Sequence, residues 1–462
     1  MPRFFLDGRK VRQRVSSASQ FMKDFWQPRV WSVTWMRSRL PCAVLMCCAA
    51  VQGLACVVAA DWPHYRGQLR DGHAASSEKE IKSLPLDLRP VWKLKVGSGF
   101  ASPILAEGRL VFVDENEGQE TAHLVQAGTG KEIWRRAYGE AFADEWGLGP
   151  RCTPVLDGDR LYVQSCKGEF QCLSLKDGST QWRFSFEKDY GVQFVGKVEV
   201  PEAAARRRGH SGSPVIEGDR IVVAVGNTTG ASLVGFNKMN GKVLWKSQSD
   251  EAAYSTLITA TLCKTPQVVA YTADSLLGLR LEDGELLWRV PLKTAAKRHA
   301  VTPIIQGNRI IVSSHSLGLL CFEVTPGEQA PKLAVTEAWS NRDLKISLAS
   351  LVLVDGRLYG QGPDKNFVCV DSNNGRVLWS QPGFSDKPLT GYTSSIAVGK
   401  NLLALTEQGQ LVLIAAEPGA YRELGRLQVC GKNWSHPAYV GGVLYLRDYK
   451  DLIALGLGDE SR

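Results

Sequence analysis

From residue 90 to residue 457 the chain alternates short apolar runs with Gly, Asp and Asn punctuation. The runs SPILAEGRLVFV (102–113), TPVLDGDRLYVQ (153–164), SPVIEGDRIVVA (213–224), TPIIQGNRIIVS (302–313) and LVLVDGRLYG (351–360) share one layout. Each is rich in β-branched residues and is broken at its centre by a Gly turn leading to Arg, which predicts a hairpin of two strands. A third apolar run follows, then a strand ending in Trp: TGKEIW (129–134), DGSTQW (177–182), NGKVLW (240–245), DGELLW (283–288) and NGRVLW (374–379). The Gly four residues before each Trp follows Asn, Asp or Thr, as a tight turn with positive φ requires. No window between the Gly turns keeps a 3.6-residue apolar period, so a helical repeat is excluded. The unit is four short antiparallel strands.

Units of this length, repeated around a ring, are propeller blades. Tryptophans 134, 182, 245, 288, 339 and 379 mark six of them. A seventh unit spans 394–417 with Leu424 where Trp would stand, and an eighth spans 436–457 and stops before any Trp strand. The missing strand lies at the other end, as PVWKLKV (90–96) with Trp92. Adding it to the eighth unit closes the ring and removes the open edge. The sequence therefore predicts an all-β, eight-bladed propeller over 90–457, with a lead-in at 61–89 and a tail at 458–462. Trp92, Trp134, Trp182, Trp245, Trp288, Trp339 and Trp379 are assigned to blade packing.

Charge alters this picture only at the N-terminus. The formal net charge is +8, yet residues 1–60 hold nine Lys/Arg against Asp7 and Asp24, leaving the remaining 402 residues near balance at +1. Arg37 and Arg39 precede the apolar stretch LPCAVLMCCAAVQGLACVVAA (40–60), which ends in Val58-Ala59-Ala60. This order predicts a secretory signal peptide over 36–60, cleaved after Ala60, with Met36 as a candidate start. A lipoprotein reading through Cys56 is the weaker alternative, since Gly53 stands where a bulky aliphatic residue is usual. No later stretch is apolar for long enough to span a bilayer, so an exported protein, periplasmic or associated with the cell envelope, is expected. The balanced remainder carries no basic and aromatic interleaving, and no nucleic-acid partner is expected. Arg206-Arg207-Arg208 and Lys297-Arg298 read as solvated loop faces. Seven cysteines follow the signal segment, an odd number that leaves at least one thiol outside any internal disulfide.

The (Thr/Asn/Asp)-Gly-Lys-x-x-Trp string resembles the quinoprotein, or PQQ-like, β-propeller repeat, found in quinoprotein alcohol dehydrogenases and in outer-membrane assembly factors of the BamB type. DWPHYRGQLRDG (61–72) resembles the Trp-Pro-x-(Phe/Trp)-Arg-Gly-Pro-x-x-Asp-Gly opening of exported bacterial proteins of this group, with Gln68 replacing proline. The dehydrogenase branch would imply a vicinal Cys-Cys disulfide over the quinone, a Trp beneath it, and Glu/Asn/Asp ligands for Ca²⁺. Here the adjacent cysteines are Cys47-Cys48, inside the signal segment, and no ligand set is assignable. No catalytic residue and no metal ligand is therefore named, and neither PQQ nor Ca²⁺ is expected as a cofactor. The resemblance to the BamB-like branch implies a monomeric, non-enzymatic scaffold for a protein partner or small ligand of the cell envelope. A degenerate quinoprotein-like oxidoreductase and a polysaccharide-binding propeller are the alternatives. A WD-type propeller is disfavoured, because no Trp is followed by Asp.

The innermost strand of each blade lines the channel, and the chain entering it shapes one mouth. Three residues before the Pro position stand Phe100, Arg151, Ser211, Tyr254, Ala300, Leu348, Tyr392 and Trp434, with His210 and His299 beside two of them. Phe100, Arg151, His210, Tyr254, His299, Tyr392 and Trp434 are the candidate ligand- or partner-binding residues, since aromatic bodies with polar tips suit either occupant. Two extensions, 183–212 and 138–150 with Trp146, are expected on the same face.

Overall fold

The computed structural model describes residues 61–458 apart from 86, 195–208, 329–331 and 387–390. The expected signal segment, the Arg206–Arg208 run and most of the longer extension lie outside these. The described residues form eight four-stranded antiparallel sheets and one two-stranded hairpin. Blades one to seven span 104–140, 155–185, 215–247, 258–291, 304–341, 352–382 and 393–428, each built in chain order from the channel outwards. The eighth combines three strands within 438–456 with Pro90–Lys95, whose Trp92 pairs with Ala454. This is the eight-bladed propeller that the repeat predicts. No described helix is long and apolar enough to cross a membrane.

The repeat residues have separate mechanical tasks. The Ser or Thr before the Pro position, which is Leu351 in the sixth blade, stitches neighbouring innermost strands: Thr153 Oγ1 accepts from the Ser102 amide at 3.0 Å, and Ser350 Oγ from the Thr302 amide at 2.9 Å. Ser102 Oγ accepts from the His436 amide at 3.0 Å, carrying the stitch across the closure. On the outside, each Trp crosses to the next blade. The indole N–H of Trp92, Trp134, Trp182, Trp245 and Trp339 donates to Ala127, Leu175, Lys238, Leu281 and Ser372 respectively, each three residues before the next blade's turn glycine. Those glycines (130, 178, 241, 284 and 375) lie directly against the indole faces.

Inside its own blade, each Trp faces one slot. Cys172 pairs with Trp182, Gly235 with Trp245, Gly278 with Trp288, Cys321 with Trp339 and Cys369 with Trp379. In these five blades the slot holds a small residue, and a Cβ on Gly235 would lie 2.3 Å from Trp245 Cε2, whereas the first blade sets Leu124 opposite Trp134. Cysteine serves as a small hydrophobe in that slot. All seven described cysteines are unpaired. Trp288 is the exception to the crossing rule. Blade five has Val335, not Gly, four residues before its Trp, and its third and fourth strands lengthen to nine residues each. There the Trp288 indole donates inwards to Gln267 Oε1 at 2.7 Å, whereas Trp379, whose partner turn also lacks the glycine, still crosses to the Glu417 carbonyl at 2.8 Å.

Gly284 shows what the turn requires. Its φ is +73°, and an added Cβ would lie 2.5 Å from Trp245 Cε3. Gly284→Ala combines a left-handed backbone penalty with overpacking, for an expected cost of about 2–4 kcal/mol. Gly218, at φ +60° with nothing within 4 Å, isolates the backbone part. Urea denaturation of Gly218→Ala is expected to show a loss of only about 1–2 kcal/mol. Equal losses for the two variants would show that contact with Trp245 adds nothing.

The lead-in packs against the inner strands. Trp62 exchanges backbone hydrogen bonds with Leu105, the Pro63 carbonyl accepts from Leu156, and Gly72 and Ala74 pair with Ala397. Further along, Ile81 joins the core shared by blades seven, eight and one, and its carbonyl accepts from Asn401 Nδ2 at 2.8 Å. A segment outside the repeat thus ties the inner strands of the first, second and seventh blades together.

Candidate functional site

The eight residues three before the Pro position of each blade, which is Leu257, Leu351 or Ser395 in three of them, all line one cavity of about 200 Å³ where the chain enters the innermost strands. They converge for a topological reason. Equivalent positions of a closed repeat lie at equal radius and height, so one sequence offset becomes one ring of side chains. Phe100, Arg151, Tyr254, Tyr392 and Trp434 are therefore brought together.

Aromatic contacts build the wall. Trp434 lies 6.2 Å from Phe100 and 6.3 Å from Tyr392, centroid to centroid. The shorter extension folds into the hairpin of Ala143–Asp144 and Gly147–Leu148, and its Trp146 meets Trp434 at 5.0 Å. Asp144 has two tasks in that hairpin. Its Oδ1 accepts from the Trp146 amide at 2.9 Å, and the carboxylate takes Arg151 in a forked pair at 2.8 and 2.6 Å. The Arg151 guanidinium also lies 5.4 Å from the Phe100 centroid and 5.0 Å from that of Phe142. Its charge is thus matched within the protein, and its body forms wall. Of the longer extension, Phe194 meets Phe142 edge to face at 4.9 Å, which brings the start of that loop to the hairpin.

The lead-in contributes Tyr65 to the lining. Tyr65 and Tyr392 share a side-chain hydrogen bond, and burial raises both phenols above the ordinary tyrosine value. Ser102, Thr153, Ser213 and Thr256, the stitching residues, supply small hydroxyls. The fifteen lining residues include no Asp, Glu, Asn or Cys, and their only formal charges belong to Arg151 and Arg298.

His210 and His299 lie outside the cavity lining. Both are buried. His299 stacks on Tyr271 at 4.1 Å, with Nδ1 2.6 Å from the Thr272 carbonyl, and burial lowers its pKa to about 4. His210 sets its ring edge-on to Phe186 at 4.6 Å. In extended chain, neighbours point to opposite sides, so residues beside Ser211 and Ala300 turn away from the mouth. The same alternation returns Arg298 to the cavity, against the expectation of a solvated loop face. Tyr65 is the other lining residue that the repeat offset cannot supply. Its signal is the opening motif 61–72, which sits outside the repeat.

The family model described as outer membrane protein assembly factor BamB matches residues 118–381 and 333–426. The curated BamB of Yersinia pestis is 22% identical over 335 residues, covering 67% of this chain and 75% of that protein. That of Shewanella oneidensis is 22% identical over 397 residues, covering 79% and 87%. Among solved structures, BamB from Moraxella catarrhalis superposes with a TM-score of 0.53 at 14% identity, covering 81% of this chain and 99% of that one. A quinohemoprotein alcohol dehydrogenase from Pseudomonas putida HK5 gives 0.59 at 10% identity, covering 87% and 81%. Identities this low show a shared fold, and both an assembly factor and a dehydrogenase use it.

Proposed function

Because the chain belongs to the PQQ-like β-propeller family described by the BamB assembly-factor model, we propose that it is an exported, non-enzymatic scaffold. On this reading it captures an apolar or aromatic side chain of a protein partner in the cell envelope. The observation that carries the reading is the mouth cavity: about 200 Å³, walled by Phe100, Trp146, Tyr254, Tyr392 and Trp434. That volume suits one large side chain, since a dry cavity of about 150 Å³ holds a benzene ring. A rigid ring of aromatics loses little entropy on binding and acts as an anchor pocket of the kind that dominates protein interfaces. The names of the curated relatives, outer membrane protein assembly factors, support a protein partner.

The donor set of the cavity does not fit a Ca²⁺-bound quinone. Such a group needs carboxylate and amide oxygens for the metal, and the lining supplies hydroxyls and two guanidinium groups instead. A vicinal disulfide is likewise not among the described cysteines.

The test places a photo-crosslinking residue at Leu348, on the lining, and at Lys176, on an exposed outer turn. A discrete protein adduct is expected from position 348 and not from 176. Adding Trp434→Ala should reduce it at least tenfold, since removing a central aromatic anchor costs about 2 kcal/mol or more. Equal adducts from both positions would sink the reading. So would dye reduction on adding quinone, Ca²⁺ and an alcohol.

A further inference from the structure

We propose that a second cavity, further along the same innermost strands, binds a small organic anion: a carboxylate or phosphate head on a short apolar body. This cavity of about 190 Å³ is lined by Arg66, Arg70, Asp71 and His73 of the lead-in, and by Ile258, Thr259, Ile304, Ile305 and Leu353 of three inner strands. Two buried arginines lining one enclosure are the first observation. Arg66 is 1% exposed and Arg70 8%.

Their hydrogen bonding is the second. Arg66 Nη2 donates to the carbonyls of Leu351 at 2.7 Å and Asp71 at 2.8 Å, which pins the side chain. Among the described residues nothing accepts from its Nε or Nη1, nor from Nη2 of Arg70. A buried guanidinium is always charged, and an unpaired one is costly, so such groups are held for an acceptor. The nearby carboxylates act on the two arginines through space, but their hydrogen bonds go to other groups. Asp71 Oδ1 accepts from the His73 amide at 3.0 Å, and Glu217, the acid beside Arg70, accepts from Thr259 Oγ1 at 3.0 Å. His73 Nε2 lies 2.8 Å from the Leu353 carbonyl, so as a donor there it is also committed. Burial lowers the Arg70 pKa to about 10, still leaving it cationic near neutrality.

Backbone conformation adds weight. Arg66 and Arg70 both adopt positive φ, 65° and 59°, in a segment where Gly67 and Gly72 do so without strain. Two arginines held in the left-handed region, four residues apart, line the same cavity. The remaining wall is Ile258, Ile304, Ile305 and Leu353, which an aliphatic body would cover. The guanidinium forks favour a planar carboxylate or a phosphate head equally.

Calorimetric titration of the full chain with inorganic phosphate, acetate and butyrate separates the two heads and tests the wall. Binding of at least one head is expected at millimolar or tighter concentration. If the head is a carboxylate, butyrate should exceed acetate by up to about fourfold for each added CH₂. If it is phosphate, the inorganic ion alone should bind. Arg70→Met should weaken binding tenfold or more, because one charge-assisted pair is lost, and Arg70→Lys should recover part of it. Arg66→Gln also removes the pin to Leu351 and can unfold the lead-in, so the two Arg70 variants are the ones that decide. No binding by any of the three at about 10 mM, or undiminished binding by a folded Arg70→Met, would overturn the proposal.

Discussion

Trp182→Ala is expected to destabilise the propeller by about 3 kcal/mol, the low end for a core tryptophan, since the indole is half-buried. The indole sits between two blades. On its own blade it stacks with Phe170 at 5.7 Å and leans on Tyr162 at 6.0 Å, and across the seam it meets Phe236 at 6.2 Å. The turn glycine of the third blade, Gly241, closes the other face, where an added Cβ would lie 2.7 Å from Trp182 Cδ2. Truncation strips these rings of their shared contact, and the protein groups around it belong to hydrogen-bonded strands and a turn that have little room to close in. The lost hydrogen bond matters less. The Lys238 carbonyl that accepts from Trp182 Nε1 also accepts from the Tyr162 hydroxyl at 3.0 Å, so it keeps a partner. Trp182→Phe should therefore retain most of the stacking and cost only about 1–2 kcal/mol. Urea midpoints of the two variants decide this. Equal losses would assign the stabilisation to the N–H rather than to the rings.

The difference between repeated and unrepeated residues explains which parts of the molecule are legible in the sequence. Seven Trp strands and the Ser/Thr-Pro openings recur, so the blade, the ring closure through Trp92 and the mouth ring from Phe100 to Trp434 follow from one offset. Placing His210 and His299 at the mouth errs by one residue, which in extended chain is enough to turn a side chain from channel to blade interior. Tyr65, Arg66 and Arg70 belong to a single-copy lead-in, and no periodicity says which strands a single copy will cross. Their positions depend on backbone pairing with Leu105, Leu156 and Ala397, contacts between residues distant in the sequence. Trp288 shows the reverse case. Its repeat string is intact, but the hairpin of the next blade is lengthened to nine-residue strands, and the same motif makes an internal bond to Gln267.

Acidification from pH 6.5 to 4.5 is expected to remove stability from this fold well before its carboxylates are fully protonated. His299 and His436 are the cause. Burial lowers the first to about 4 and the second to about 3 from an ordinary 6.5. Above pH 6.5 both are neutral in the folded and unfolded chain, and their burial carries no protonation penalty. Below 6.5 the unfolded chain takes up protons that the folded chain refuses until about pH 4 and about pH 3. Each histidine thus withdraws about 1.4 kcal/mol per pH unit across that window, or roughly 2–3 kcal/mol by pH 4.5. His64 and His315 are also lowered by burial and act in the same direction. Glu120 opposes them. Buried against Cys166, whose amide it accepts at 3.2 Å, it is raised to about 7, chiefly by desolvation. It therefore holds a proton in the folded state between pH 7 and 4.5 that the unfolded state releases, a gain on acidification of up to about 3 kcal/mol. Glu120→Gln keeps an acceptor for the Cys166 amide and removes the charge. It should raise stability at pH 8 by about 2–3 kcal/mol and steepen the acid loss, because nothing then offsets the histidines. Urea midpoints at pH 8, 6.5, 5.5 and 4.5 test both statements. A midpoint that stays level from 6.5 to 4.5 in the Glu120→Gln variant would mean that the buried imidazoles titrate as they do in the open chain.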